Sequence, residues 1–242
     1  IALGGLSEFM HQTAHGNLFG RNRNLNELFG RISGALVGVN YFAYRKFHMT
    51  HHLLANTRND SEFKVYASKY TNAADAWEQR TVIQKLGSIP KVAWDFAGAG
   101  LSEFGVSFPV SVVQWILPAV IIAGINYLQG LTAGAIVASV FVAWYLPLLL
   151  LTLLEFFLTQ SRHYGTKLLP ESSREIQYRN AWNLDLPLPI ELMLLRRNHH
   201  ATHHVDPKQH WSQVRRRKDD RLLPLFTYLG MWWKAGPRKV HM

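Results

Sequence analysis

The longest uninterrupted apolar stretches lie in the middle of the chain. Val106–Leu128 carries no charge, although Pro109, Gln114, Pro118 and Asn126 interrupt it, and Ala133–Leu154 is uncharged up to Glu155. A helix needs about 20 mostly apolar residues to cross a bilayer, and both stretches meet that length. Only Gln129–Thr132 connects them. The pattern therefore predicts a transmembrane helical hairpin over 106–154, with the chain before it and the chain after it emerging on the same side. Ile32–Tyr44 is apolar as well, but Arg31 and Arg45 bracket it within thirteen residues. That is too short to cross and predicts a re-entrant or interfacial segment.

Elsewhere the pattern is mixed. Lys85–Phe104 combines apolar residues with Lys85, Lys91, Asp95 and Glu103, as a helix lying near the interface and leading into the first span would. Ile1–Leu6 is apolar and reads as the tail of a longer apolar helix. No stretch alternates as a half-buried strand does. The predicted fold is all-α. It is a polytopic membrane helical protein forming a single domain over 1–242, its hairpin at 106–154 carrying a cap built from 11–105 and 160–242.

The polar positions of that cap are dominated by histidine. His11-x-x-x-His15, His48-x-x-His51-His52 and His200-x-x-His203-His204 hold eight of the twelve histidines. Residues three and four apart share one helix face, so each cluster aims its imidazoles in one direction. Neutral imidazole is the commonest metal ligand in proteins and suits zinc, copper, iron and nickel. Eight such ligands exceed the needs of one tetrahedral ion and suit two metals close together. His210 and His241 stand alone and read as structural. His199 adjoins His200, so on a helix it points roughly 100° away from the cluster and reads as a hydrogen-bonding or solvent-facing group. Glu8, Asp60, Glu62 and Asp206 flank the clusters and are candidates to hold the ligands' other ring nitrogens.

Composition narrows the setting. Charged residues make up 17% of the chain, against about 25% in soluble domains, a shortfall that partial burial in lipid produces. The net charge of +10 reads as membrane topology and partner docking rather than nucleic-acid binding, because no basic and aromatic pattern recurs along a sheet. Arg21, Arg23, Arg45, Lys46, Arg196, Arg197 and the run Arg215–Lys218 all fall on the histidine-bearing side. The positive-inside rule places that side in the cytoplasm. Cysteine is absent, which excludes disulfides, thiolate metal sites, iron–sulfur ligation and a cysteine nucleophile.

The order HQTAH, then FHMTHH followed by NDSEF, then NHHATHH followed by VDP, resembles the membrane fatty-acid desaturase superfamily, which includes acyl and sphingolipid desaturases, hydroxylases and carotenoid ketolases. The resemblance runs from Glu8 to Trp211 and puts the hairpin between the second and third clusters. It implies a non-haem diiron centre, two iron ions with dioxygen as co-substrate, held by His11, His15, His48, His51, His52, His200, His203 and His204. A further family ligand after the last span falls on His163. The family's nearby asparagine has no counterpart here, and Thr159 or Gln160 would have to serve instead. A hairpin upstream of the first cluster is also lacking, which predicts a truncated chain.

What the resemblance implies chemically is oxidation of an unactivated C–H bond in a lipid chain or other apolar substrate. That is desaturation, or on the same site hydroxylation or ketolation. Electrons would come from a separate ferredoxin, rubredoxin or cytochrome, since no fused carrier motif or dinucleotide fingerprint is present. The run Arg215–Lys218 would suit docking of an acidic carrier, or a contact with lipid headgroups. A zinc-dependent membrane hydrolase needs only three protein ligands, and a metal transporter would carry its ligands within the spans. Bis-histidine haem binding would not need clusters this dense.

Overall fold

The computed structural model describes residues 2–62, 108–163, 166 and 169–233, together with positions 83 and 87. The described residues are mostly helical, as the all-α expectation has it. The proposed interfacial helix at Lys85–Phe104 lies outside them except for Gly87, and His241 lies outside them too.

Three helices form the first half of the site. Helix α1 (Ala2–Ala14) packs on α2 (Arg23–Leu36) and α3 (Tyr41–Leu54). Asparagine starts both partners: the Asn22 side chain accepts from the Leu25 amide, and the Asn40 side chain from Phe42 and Ala43. Each thereby satisfies donors that a helix start leaves open. The apolar stretch Ile32–Tyr44 is not one element, which corrects the single segment expected from hydropathy. It is the end of α2, a turn at Val37–Asn40, and the start of α3. Gly38 makes that break with φ +72°, a conformation glycine adopts without steric cost.

Helix α2 is inverted in polarity. Asn26, Gly30, Ser33 and Gly34 face inward, while Leu25, Leu28, Phe29, Ile32 and Leu36 are exposed. Small inward residues let the helices approach closely; a Cβ on Gly30 would come within 2.3 Å of the Tyr41 ring.

Helix α4 (Phe108–Leu128) leads through a turn to α5 (Ala133–Val140), a π-helical turn at Phe141–Tyr145, and α6 (Leu146–Arg162). Backbone angles stay helical across these junctions, so 133–162 is one continuous rod. Pro147 explains the widened turn. It has no N–H to give to the carbonyl four residues back, and the Leu146 amide bonds Phe141 instead, an i to i+5 closure of the π type. Among the described residues, one helix, Ala133–Thr159, is long and apolar enough to cross a membrane; Val113–Leu128 of α4 is a shorter apolar helix. One such helix does not establish the expected polytopic topology.

The C-terminal third holds α7 (Arg174–Arg179), α8 (Leu188–Met193), α9 (His200–Val205) and α10 (Leu225–Trp233). It also contains two three-residue strands that sequence periodicity does not reveal. β1 (Asn183–Asp185) and β2 (Leu222–Pro224) pair in parallel, Leu184 opposite Leu223. Runs this short cannot show an alternation. Their value is positional: Asn183 bonds the Thr202 hydroxyl at 2.8 Å, and the Leu184 amide bonds the Asn198 carbonyl at 3.0 Å. The ladder thus clamps α9. Leu158, Leu184, Leu186, Leu223 and Tyr228 form the apolar core beneath it.

Candidate metal centre

Four segments deliver nine imidazoles to one place. His11 and His15 lie at the C-terminal end of α1, His48, His51 and His52 on α3, His200, His203 and His204 on α9, and His163 caps the C-terminus of α6. They sort into two groups. His11, His15, His48, His52 and His203 form one, and His51, His163, His200 and His204 the other; within each group the potential ligand atoms all lie within 4.8 Å of one another. Two clusters divide between the groups. His48 and His52, one turn apart, serve the first while His51 serves the second, and α9 likewise sends His203 one way and His200 and His204 the other. The groups are therefore adjacent, with the His52 and His204 rings 4.7 Å apart.

The atoms that converge are Nε2. In the five-histidine group, Nε2 of His11 meets that of His203 at 3.1 Å, His203 meets His52 at 2.9 Å, His52 meets His48 at 3.0 Å, and His48 meets His15 at 2.9 Å. In the four-histidine group, Nε2 of His200 lies 3.0 Å from that of His163 and 2.9 Å from that of His204. The opposite ring nitrogens settle what these contacts are. Nδ1 of His11 faces Glu8 at 3.1 Å, Nδ1 of His51 faces Asp60 at 2.8 Å, Nδ1 of His204 faces the Gln177 Oε1 at 2.8 Å, and Nδ1 of His163 faces the Asn180 carbonyl at 3.2 Å. All four partners accept, so each Nδ1 carries the proton. In a neutral ring the Nε2 then holds only a lone pair.

Lone pairs at 3 Å repel unless a cation lies among them. His163 and His204 both point lone pairs toward His200, which has at most one proton to share between them. Buried Nε2 of His51 has no hydrogen-bond partner. Nitrogen ligands about 2.1 Å from an ion stand about 3 Å apart when they are neighbours at right angles. The observed spacings match, and the donor set fits two metal ions.

A comparison with curated proteins gives no match. The model of the fatty acid desaturase family, by contrast, matches residues 1–235. The chain belongs to the fatty acid desaturase family. That family is a membrane-associated group of lipid-modifying oxidoreductases, typically iron-dependent.

Not every flanking residue of this desaturase-family chain reaches the centre. Glu8 and Asp60 do, and Glu62 lies 3.9 Å from Nε2 of His51. Asp206 does not: it is exposed at the C-cap of α9. Thr159 is buried on α6, and the Gln160 side chain lies outside what is described. Gln177 is the residue that sequence reasoning missed. It sits far from every cluster in the chain, and only the return of α7 against α9 brings it to His204. Its amide nitrogen also holds the His52 carbonyl at 2.7 Å.

His199 stays outside both groups, although not through a helical 100° offset. It is the N-cap before α9, is buried, and pairs with Glu191 of α8, which replaces the solvent-facing alternative. His210 bonds Ser212 Oγ at 2.7 Å, away from the centre. Arg215, Arg216, Arg217 and Lys218 are exposed.

Burial and crowding keep seven of the rings unprotonated. Burial, followed by repulsion from neighbouring imidazoles, holds His48, His52, His200, His203 and His204 far below the ordinary histidine value, and His163 falls to about 3. His15 is lowered likewise, by burial and then by His11 and Arg45. His51 goes the other way. Burial pulls it down most strongly, but Asp60 and Glu62 together outweigh that and raise it to about 9.

Proposed function

We propose that the chain is an oxygen-dependent desaturase that introduces a double bond into an acyl or other lipid chain. The observation that carries this reading is the pair of adjacent all-histidine groups with converging Nε2 atoms, in a chain matched by the fatty acid desaturase family over residues 1–235. His11, His15, His48, His52 and His203 would hold one iron, and His51, His163, His200 and His204 the other. When bound, a pair of irons supplies dioxygen reduction and removal of hydrogen from an unactivated C–H bond.

The chain's own residues supply the rest. Glu8, Asp60, Gln177 and the Asn180 carbonyl hold Nδ1–H of their histidines and so keep Nε2 available. Metal binding at His51 requires loss of its Nε2 proton, and Asp60 and Glu62 offset the charge that remains. Most of the ligand rings are buried, which keeps bulk water from the reacting face.

The membrane setting belongs to the same proposal: one polytopic domain, with α4 and the rod at 133–162 as a hairpin and the centre on the cytoplasmic side. The inverted polarity of α2 supports it, since Leu25, Leu28, Phe29, Ile32 and Leu36 form an apolar outer face suited to lipid. A separate one-electron carrier of ferredoxin, rubredoxin or cytochrome type would dock against Arg215–Lys218. Hydroxylation is the second reading, because the same ligand set serves both outcomes.

Purified chain supplied with a generic reductant system and a lipid substrate tests this directly. The expected result is about two irons per chain, oxygen uptake, and a product lighter by two hydrogens. One oxygen gained would select hydroxylation. Zinc without oxygen uptake would overturn both readings. His51→Ala should abolish turnover and lower bound iron; retention of full iron and turnover by that variant would remove His51 from the ligand set.

A further inference from the structure

The turn leading into the third histidine cluster is strained. Leu195 and Arg196 both have positive φ, 49° and 58°, in the left-handed region that non-glycine residues rarely occupy. Two in succession persist only where the surroundings over-determine them. The two neighbouring arginines here have different partners. Arg196 donates to the Val214 carbonyl near the surface, whereas the Arg197 side chain turns inward and is 9% exposed.

Arg197 meets two helices there, through three side chains. Its Nη1 donates to Glu155 on α6 and, at 2.9 Å, to Ser7 Oγ on α1. Ser7 in turn donates to Glu155 at 2.8 Å. Its Nε lies 3.6 Å from Oε2 of Glu8, the carboxylate that holds Nδ1 of His11. Gln12 donates to the same carboxylate at 2.7 Å. One guanidinium therefore balances two carboxylates, one beside a proposed metal ligand and one at the end of the long apolar rod. The partners of the four-histidine group, Asp60, Gln177 and the Asn180 carbonyl, belong to other hydrogen bonds.

From this geometry we infer that Arg197 is a positioning residue for the five-histidine group alone. Its guanidinium, paired with Glu8 and Glu155, holds the Glu8 carboxylate aimed at His11, which locks the His11 ring with Nε2 free, and it ties that ring to the rod through Glu155. The inference rests on the two-metal reading. It separates a side-chain effect from a backbone one: loosening the strained turn would disturb His200 and His204 of the other group too, whereas loss of the guanidinium disturbs His11 first.

The test is an anaerobic cobalt(II) titration of the chelator-stripped full chain in detergent, against a competing chelator, read by the visible absorption of each site. His15→Ala and His163→Ala, one from each group, assign the two spectra. Fewer than two cobalt ions on the unmodified chain would overturn the two-metal reading itself. With two bound, Arg197→Gln should weaken the five-histidine site about 10- to 100-fold, the usual effect of removing a ligand's outer partner, and leave the other within about twofold. Glu8→Gln should reproduce that selectivity. Arg197→Lys keeps the charge but not the planar fork and should weaken the same site less. If Arg197→Gln does not fold, the lysine and Glu8 variants decide. Equal weakening of both sites in the variants, or Arg197→Lys with unmodified affinity at both, overturns the inference.

Discussion

Individual side chains decide how the imidazoles are presented. An Nδ1–H without an acceptor leaves its ring free to turn or to change tautomer, so each acceptor matters beyond its own hydrogen bond. Gln177 is the sharpest case, because its two amide ends hold His204 and the His52 carbonyl, one from each group. Gln177→Leu should therefore lower metal affinity about 10- to 100-fold at the four-histidine site. It should also destabilise the fold by about 1–3 kcal/mol, through the buried groups left without partners. Metal titration beside a denaturant melt reads both quantities; unchanged affinity would show that His204 needs no acceptor. Legibility at this scale followed chain distance. Glu8 lies one turn before His11 and Asp60 close behind His51, so both could be marked from the sequence as neighbours. Gln177, Glu191 and the Asn180 carbonyl meet their histidines only through the return of the C-terminal third. Asp206 shows the converse, being adjacent in sequence yet directed to solvent.

At the scale of elements, close packing of α1, α2 and α3 aligns the first two clusters. Gly30 permits it by leaving room for the Tyr41 ring, whose hydroxyl holds the Thr13 carbonyl at 3.0 Å, midway between His11 and His15. Gly30→Ala should gain up to about 1 kcal/mol of helix propensity and lose more to the clash, for a net destabilisation of about 1–3 kcal/mol. At Gly5 on α1 a Cβ would meet nothing within 4 Å, so Gly5→Ala should be neutral or stabilising by about 0.5–1 kcal/mol. Thermal melts of the two variants check the contrast. The helices that carry the first two clusters were readable from the three- and four-residue spacing of their histidines. The break at Gly38 was not, since hydropathy runs through it unchanged. Nor were the strands, which are too short for a period.

For the molecule as a whole, the crowded imidazoles make stability depend on pH and metal. His15, His48, His52, His163, His200, His203 and His204 all titrate lower in the fold than in an unfolded chain, where histidine titrates near about 6.5. Below that value the unfolded chain binds more protons, so stability falls as pH drops, and for His163 the loss continues to about 3. His51 has the opposite sign. Its stabilisation is full below about 6.5 and is lost as pH rises through about 9. The metal-free chain should therefore be most stable between these limits, and denaturant midpoints at pH 5, 7.5 and 9.5 measure it. Bound metal should flatten the acid side by competing with protons for Nε2. A metal-free midpoint that rises on acidification would contradict the neutral state assigned to the rings.

Some of this was determined by the sequence alone. Helical spacing of histidine, and of long apolar runs, survives without any tertiary context because it follows from 1.5 Å rise and 3.6 residues per turn. That was enough to identify eight histidines of interest, the all-α character and the resemblance to a desaturase, and the resemblance added His163. Tertiary structure decided the rest. The division into five and four, with α3 and α9 each feeding both groups, depends on how two helices cross. The Nδ1 acceptors depend on which loops return to meet them, and the inward placement of Arg197 on the left-handed turn at Leu195 and Arg196 that precedes it. Spacing along a helix sets which way a ring points; only packing sets what stands opposite it.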